Sequence, residues 1–110
     1  ESRDHRVREA IVRAQQADRQ KDILGVITNL LQAERHATGR ERDVIRLQLA
    51  QRYRDSQRFE QAAVWFQKVA DEADQPALRK RARGKADAVR GEIERQRPRQ
   101  ENPQKNKDYK

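Results

Sequence analysis

The sequence predicts an all-α fold built from antiparallel helix pairs, and three observations predict it. Apolar residues return at three- and four-residue spacing along most of the chain, Gly and Pro are scarce, and one hydrophobic pattern occurs twice. Only 34% of the 110 residues are apolar and 40% are charged, so folding depends on that periodicity gathering the few apolar side chains into one interior. The abundant Arg, Gln, Ala, Glu and Leu lose little rotamer freedom in a helix, while four glycines and three prolines supply few turns for a sheet. The length allows one domain with a modest core.

The first helix carries Val7, Ala10, Ile11, Ala14 and Ala17 on one stripe, with Ser2 as its N-cap. Past the polar segment 18–21, Ile23, Leu24, Val26, Ile27, Leu30, Leu31 and Ala33 make a second helix. Its apolar arc is wide enough to be covered on two sides, so it is expected to be the most buried element of the first half, ending near His36. Thr38 and Glu41 stand in capping-box spacing and open a third helix, which holds Val44, Ile45, Leu47, Leu49, Ala50 and Tyr53 and breaks at residues 55–57. The fourth helix contains Phe59, Ala62, Ala63, Trp65, Phe66, Val69, Ala70 and Ala73; with the only Trp and both Phe, it is expected to centre the core. Asp74 and Gln75 supply a polar cap, and Pro76 falls in the first turn of a fifth helix, where its missing N–H does no harm. That helix shows Leu78, Ala82, Ala86, Val89 and Ile93 on one stripe and runs to about Gln96. The helical domain is therefore placed at 1–96, and residues 97–110, which have no apolar periodicity, are predicted to be a basic disordered tail.

Displaced by 36 residues, the chain matches itself: Ile11 falls on Leu47, Ala14 on Ala50, Ala17 on Tyr53, Ile23 on Phe59, Val26 on Ala62, Leu30 on Phe66 and Ala33 on Val69. A further step places Ala50 on Ala86 and Tyr53 on Val89, so the fifth helix reads as the first half of a third unit, a terminal helix covering the end of a stack. The segment Leu49-Ala50-Gln51-Arg52-Tyr53, followed by Phe59, Ala62 and Phe66, resembles the tetratricopeptide repeat, whose pattern is W-x2-L-G-x2-Y, then A-x3-F, then P. The resemblance covers residues 43–76 well; Arg46 stands where the pattern has Trp, Ala50 where it has Gly, and Asp74 where it has Pro. In the first unit only Ala14, Ile23 and Leu30 fit by type.

The resemblance implies a right-handed stack of two helix pairs plus a C-terminal capping helix, whose first helices line a concave groove that receives a partner's peptide or helix. It places Arg8, Ile11 and Gln15 there from the first helix, Val44, Leu47, Gln51 and Arg54 from the third, and Lys80, Arg83, Asp87 and Arg90 from the fifth. Ile11, Val44 and Leu47 are the informative members, since branched apolar side chains facing water need an occupant, unless the second helix or an assembly partner buries them. The family's basic clamp for a terminal carboxylate is not carried over, because those places hold mostly Ile, Val, Gln and Leu.

Charge offers a second site. The net charge is +8, and residues 76–110 hold 12 Lys/Arg against 5 Asp/Glu. A basic stretch of Arg79, Lys80, Arg81, Arg83 and Lys85 can attract acidic proteins, nucleic-acid phosphates or anionic lipid headgroups. It has no aromatic residue to stack on bases, which argues against sequence-specific reading. No cofactor or metal is expected: cysteine is absent, and His5 and His36, both expected at the surface, have no ligand-spaced neighbour. Without a Gly-rich phosphate loop or a nucleophile–base set, the chain is read as a non-enzymatic scaffold or adaptor for another protein, an acidic one by preference. The alternative is a nucleic-acid-associated helical protein using the basic face of the fifth helix and the tail, and a peripheral role at an anionic membrane ranks third. The outer side of the first helix has no cap of its own, so self-association is also expected. No apolar run is long enough to cross a bilayer. The chain opens at Glu1 rather than Met, which leaves room for a removed tag, signal peptide, anchor or upstream region; the compartment stays open between cytoplasm and periplasm.

Overall fold

The structure, a computed structural model, describes residues 2–97. They form five helices and no strand: α1 (Arg3–Arg19), α2 (Ile23–His36), α3 (Gly39–Asp55), α4 (Phe59–Glu72) and α5 (Pro76–Gln96). Of the expected tail, 97–110, Arg97 is the C-cap of α5, its N–H donating to the Ile93 carbonyl, and residues 98–110 lie outside the described residues. None of the described helices is long and apolar enough to cross a membrane. The principal helix contacts join elements consecutive in the chain, α1 with α2, α2 with α3, α3 with α4 and α4 with α5.

The twofold pattern of the sequence is a twofold pattern of backbone. The bounds of α1 and α2 shifted by 36 residues are those of α3 and α4, and the turns inside the two pairs make the same hydrogen bonds. In the first, Lys21 N–H donates to the Asp18 carbonyl and Asp22 N–H to Ala17; in the second, Gln57 N–H donates to Arg54 and Arg58 N–H to Tyr53. Both helices thus end in the motif that satisfies their last carbonyls through one left-handed residue, and that residue is Lys21 (φ 57°) or Gln57 (φ 64°) rather than the usual glycine.

Capping follows the sequence in part. Ser2 Oγ accepts from His5 N–H, and Asp22, which the periodicity did not single out, caps α2 by accepting from Gly25 N–H. Two expected caps are corrected. Thr38 holds the N-cap position of α3, but its hydroxyl makes no capping bond, and Gly39 behind it takes φ 59°. Asp74 does not cap α5; Gln75 holds that place without a side-chain bond, and the Asp74 N–H donates instead to Asp43.

The core is continuous across the pairs. Val7, Ala10, Ala14 and Ala17 of α1 cluster with Val26, Ile27, Leu30 and Ala33 of α2 and with Ile45 and Leu49 of α3. Beyond them, Ala50 meets Ala62, Ala63 and Phe66 of α4 and Ala86 and Val89 of α5, and a third group joins Val69, Ala70, Ala73 and Ala82. Alanine at so many wholly buried positions lets helix backbones approach closely, while Phe66, Ile45 and Leu49 fill the larger spaces.

Two packing expectations change. Phe66 is fully buried, but Phe59 and Trp65 lie half-buried at the edge, Trp65 with the Lys68 ammonium 5.4 Å from its ring centre. In α2, Ile23 and Leu24 are exposed, so this helix buries no more apolar positions than α1 does. The repeat gives the reason: Phe59, the counterpart of Ile23, borders the same hollow as Ile93 of α5, whereas the counterpart of Ile93 is Gln57, which falls in the turn after the shorter α3. Ile23 therefore lacks a counterpart of Ile93 and stays 41% exposed.

Polar side chains lock the seams. Arg46, at the position where the tetratricopeptide pattern has Trp, donates through Nε to Glu34 of α2 (3.0 Å) and through Nη1 to Glu72 of α4 (2.9 Å). Burial pulls the pKa of this guanidinium down, and the hydrogen bonds and negative charge of the two glutamates more than offset it, so the net shift is upward. Asp43, also buried, accepts from the Asp74 N–H (3.1 Å), while Arg79 Nη1 donates to the carbonyls of Ala73 (2.7 Å) and Asp74 (3.1 Å). Residues 43 and 79, which are one repeat apart, thus grip the α4–α5 loop from its N–H and its C=O sides.

Candidate functional site

A cleft of about 230 Å³ opens between α1, α2 and α3. Ala14, Val26 and Leu30 make an apolar floor, Ile11 stands half-buried at one side, and the amides of Gln15, Gln48 and Gln51 lie along the rim. Asp18 and Arg52 also line it and close one end with a 2.8 Å ion pair across α1 and α3. The position of α3 creates this arrangement: Ile45 and Leu49 seat it on the first helix pair, which turns Gln48, Gln51 and Arg52 toward α1. An apolar floor with a rim of neutral amides suits an apolar side chain whose flanking peptide groups need both donors and acceptors, which glutamine offers together.

The residues expected to line a groove do not form one surface. Ile11, Gln15 and Gln51 meet in the cleft. Val44 projects into solvent on α3, 42% exposed. Leu47 is half-buried against the cores that α3 shares with α4 and α5, so packing accounts for this branched side chain. Arg54 lies 6.0 Å from the Phe66 ring centre and is engaged by the core rim. Arg8 borders a separate hollow with Asp4 and Glu41. On α5, Lys80, Arg83 and Asp87 are exposed, but Arg90 is turned to α4, where it donates to Gln67 (2.6 Å) and pairs with Asp87 (3.4 Å). Sequence reasoning missed Gln48, Asp18 and Arg52. Gln48 was findable, since it lies one turn before Gln51, but the pairing of residues 18 and 52 depends on how the helix pairs meet.

The basic stretch divides as well. Arg79 is held by backbone carbonyls, Lys85 is half-buried, and Lys80, Arg81 and Arg83 are exposed. His5 is exposed and within 3.1 Å of Glu9, while His36 is half-buried at the end of α2. Among the described residues no group of His, Asp and Glu is arranged to hold a metal ion.

Comparison with protein-family models, curated proteins and solved structures finds no match for this chain.

Proposed function

We propose that this chain is a non-enzymatic interaction module of tetratricopeptide-like architecture, which holds a partner's peptide or helix by an apolar side chain in the cleft between α1 and α3. The observation that carries the reading is the cleft itself, with its apolar floor and glutamine rim. The architecture is supported by the 36-residue identity of helix bounds and turn hydrogen bonds and by a core in which each helix packs chiefly on its neighbours in the chain, as in a repeat array. Val44, exposed one turn before Gln48 on α3, adds a separate apolar side chain beyond the rim of the cleft. The specific partner is the one whose capture survives salt, because the contact is apolar and amide-based rather than ionic.

The test is capture of a defined polypeptide from the source organism by the wild-type chain and by Gln51→Glu and Val44→Glu, with helicity checked by circular dichroism. Both positions have exposed edges, so folding is expected to survive. Loss of capture in both variants at moderate salt is expected; retention in both removes the cleft from the function.

A further inference from the structure

Helix α5 divides its charge into two unlike halves. From Asp87 to the end of the described residues every arginine has an acid three residues before it: Arg90 pairs with Asp87, Arg95 with Glu92 and Arg97, the C-cap, with Glu94. Before Asp87 the helix contains no acid at all. Arg79 is taken by the carbonyls of the preceding loop, which leaves Lys80, Arg81, Arg83 and Lys85 with neither ion pair nor side-chain hydrogen bond among the described residues. Like charges three and four residues apart repel along a helix. The positive end of the helix dipole adds to them, since α5 has no acid in its first turn and no side-chain cap, whereas α1, α3 and α4 each carry an acid there. Among the described residues no acid pairs with these four cations, which leaves the face open to an external polyanion.

The distribution of the four cations says which polyanion fits. At 3.6 residues per turn they span about 200° of the helix circumference, and Gly84, at the centre of that arc, has open space where a side chain would stand. A flat bilayer meets a helix along one line and engages about half of such an arc. Two phosphate rows flanking a groove engage all of it, and a helix of about 10–12 Å diameter enters the roughly 12 Å major groove of B-form DNA but not the narrow major groove of duplex RNA. The apolar residues Ala82, Ala86 and Val89 are spent on the core, and the exposed Ala77 and Ala88 are too small to anchor the face in lipid. The helix has no aromatic residue to stack on bases. We propose that the N-terminal half of α5 is a binding face for the phosphodiester backbone of double-stranded DNA, read without regard to base sequence.

The experiment uses the full chain and fluorescence anisotropy with two labelled DNA duplexes of unrelated sequence, one duplex RNA, and vesicles of phosphatidylserine in phosphatidylcholine. Equal affinity for the two DNA sequences, falling steeply with salt, is expected. The double variant Lys80→Gln/Arg83→Gln, at two exposed positions, removes two of the four contacts and should flatten the log–log salt slope by about 1.8. Between about 50 and 200 mM salt it then loses affinity roughly 12-fold less than the wild type does. Gln51→Ala, a neutral change on the rim of the cleft, should bind DNA as the wild type does, which separates this face from the cleft. An unchanged slope in the double variant, a preference for one DNA sequence, or tighter binding to duplex RNA or to the vesicles would each overturn the assignment.

Discussion

The ion triad of Arg46 offers the most direct test of how the two helix pairs are held together. Its guanidinium side chain is 9% exposed, between Glu34 at 16% and Glu72 at 49%. Breaking a fully buried pair costs about 3–5 kcal/mol, because the remaining charge stays desolvated without a partner. Glu72 is half in water and recovers solvation when released, so the cost here is smaller. Arg46→Ala, which also leaves a void, is expected to destabilise the protein by about 2–4 kcal/mol, or about 10–20 °C in Tm for a domain of this size. Arg46→Met fills the volume but still strands Glu34, at about 1.5–3 kcal/mol. Combining Arg46→Met with Glu34→Leu removes the stranded charge and should return stability to within about 1 kcal/mol of the wild type. Urea denaturation followed by far-UV circular dichroism on the wild type, Arg46→Met, Glu34→Leu and the double variant yields the coupling energy. Strictly additive single and double variants, with no recovery, would refute the claim that Arg46 and Glu34 act as one buried unit across α2 and α3.

Other expectations follow from backbone and packing. Lys21→Gly and Gln57→Gly relieve left-handed strain at the two equivalent turns, and each should raise stability by up to about 1 kcal/mol in the same denaturation assay. Gly84→Ala, in open space, should gain about 0.5–1 kcal/mol from helix propensity. Gly25→Ala should show no such gain, because its new methyl would collide with Oδ2 of Asp22 and displace the cap of α2. Ala62→Leu, at a wholly buried position, should cost about 1–3 kcal/mol by overpacking where α4 meets α3 and α5. The hydrogen bond and charge of Arg95 hold the Glu92 carboxyl below its ordinary pKa of 4.5, so its stabilising effect is complete above that pH and disappears as pH falls through the depressed value. The wild type should therefore lose its advantage over Glu92→Gln in acid but keep it at neutral pH, as read from urea midpoints at both.

Much of the fold was legible because a hydrophobic period is a local property. The stripes Ala10-Ala14-Ala17 and Ala82-Ala86-Val89 mark the buried faces in the sequence as they stand in the structure, and the 36-residue displacement needed no coordinates. What stayed hidden depends on partners far along the chain. Arg46 looks like a departure from a pattern until Glu34 and Glu72 are brought to it from 12 and 26 residues away. Asp43 reads as a surface acid until it receives the Asp74 amide. Lys21 and Gln57 carry no sign of left-handed backbone, since that state normally selects Gly or Asn. Asp22, by contrast, stood in plain view as an acid directly before an apolar run. For the candidate site, Ile11, Gln15 and Gln51 were reached through the repeat, but helical phase alone could not say that α4 and α5 would cover Leu47 or that Arg90 would turn back to Gln67 of α4.

The duplicated template is the claim beneath both the core and the cleft, and nuclear Overhauser contacts in the isotope-labelled chain test it most directly. Ile45 and Leu49 methyl groups should show contacts to Val26 and Leu30 on one side of α3, and Ala50 should show contacts to Phe66 and Ala86 on the other. Two helix pairs with no contacts between α2 and α3, or α5 docked on α1 instead of α4, would contradict it.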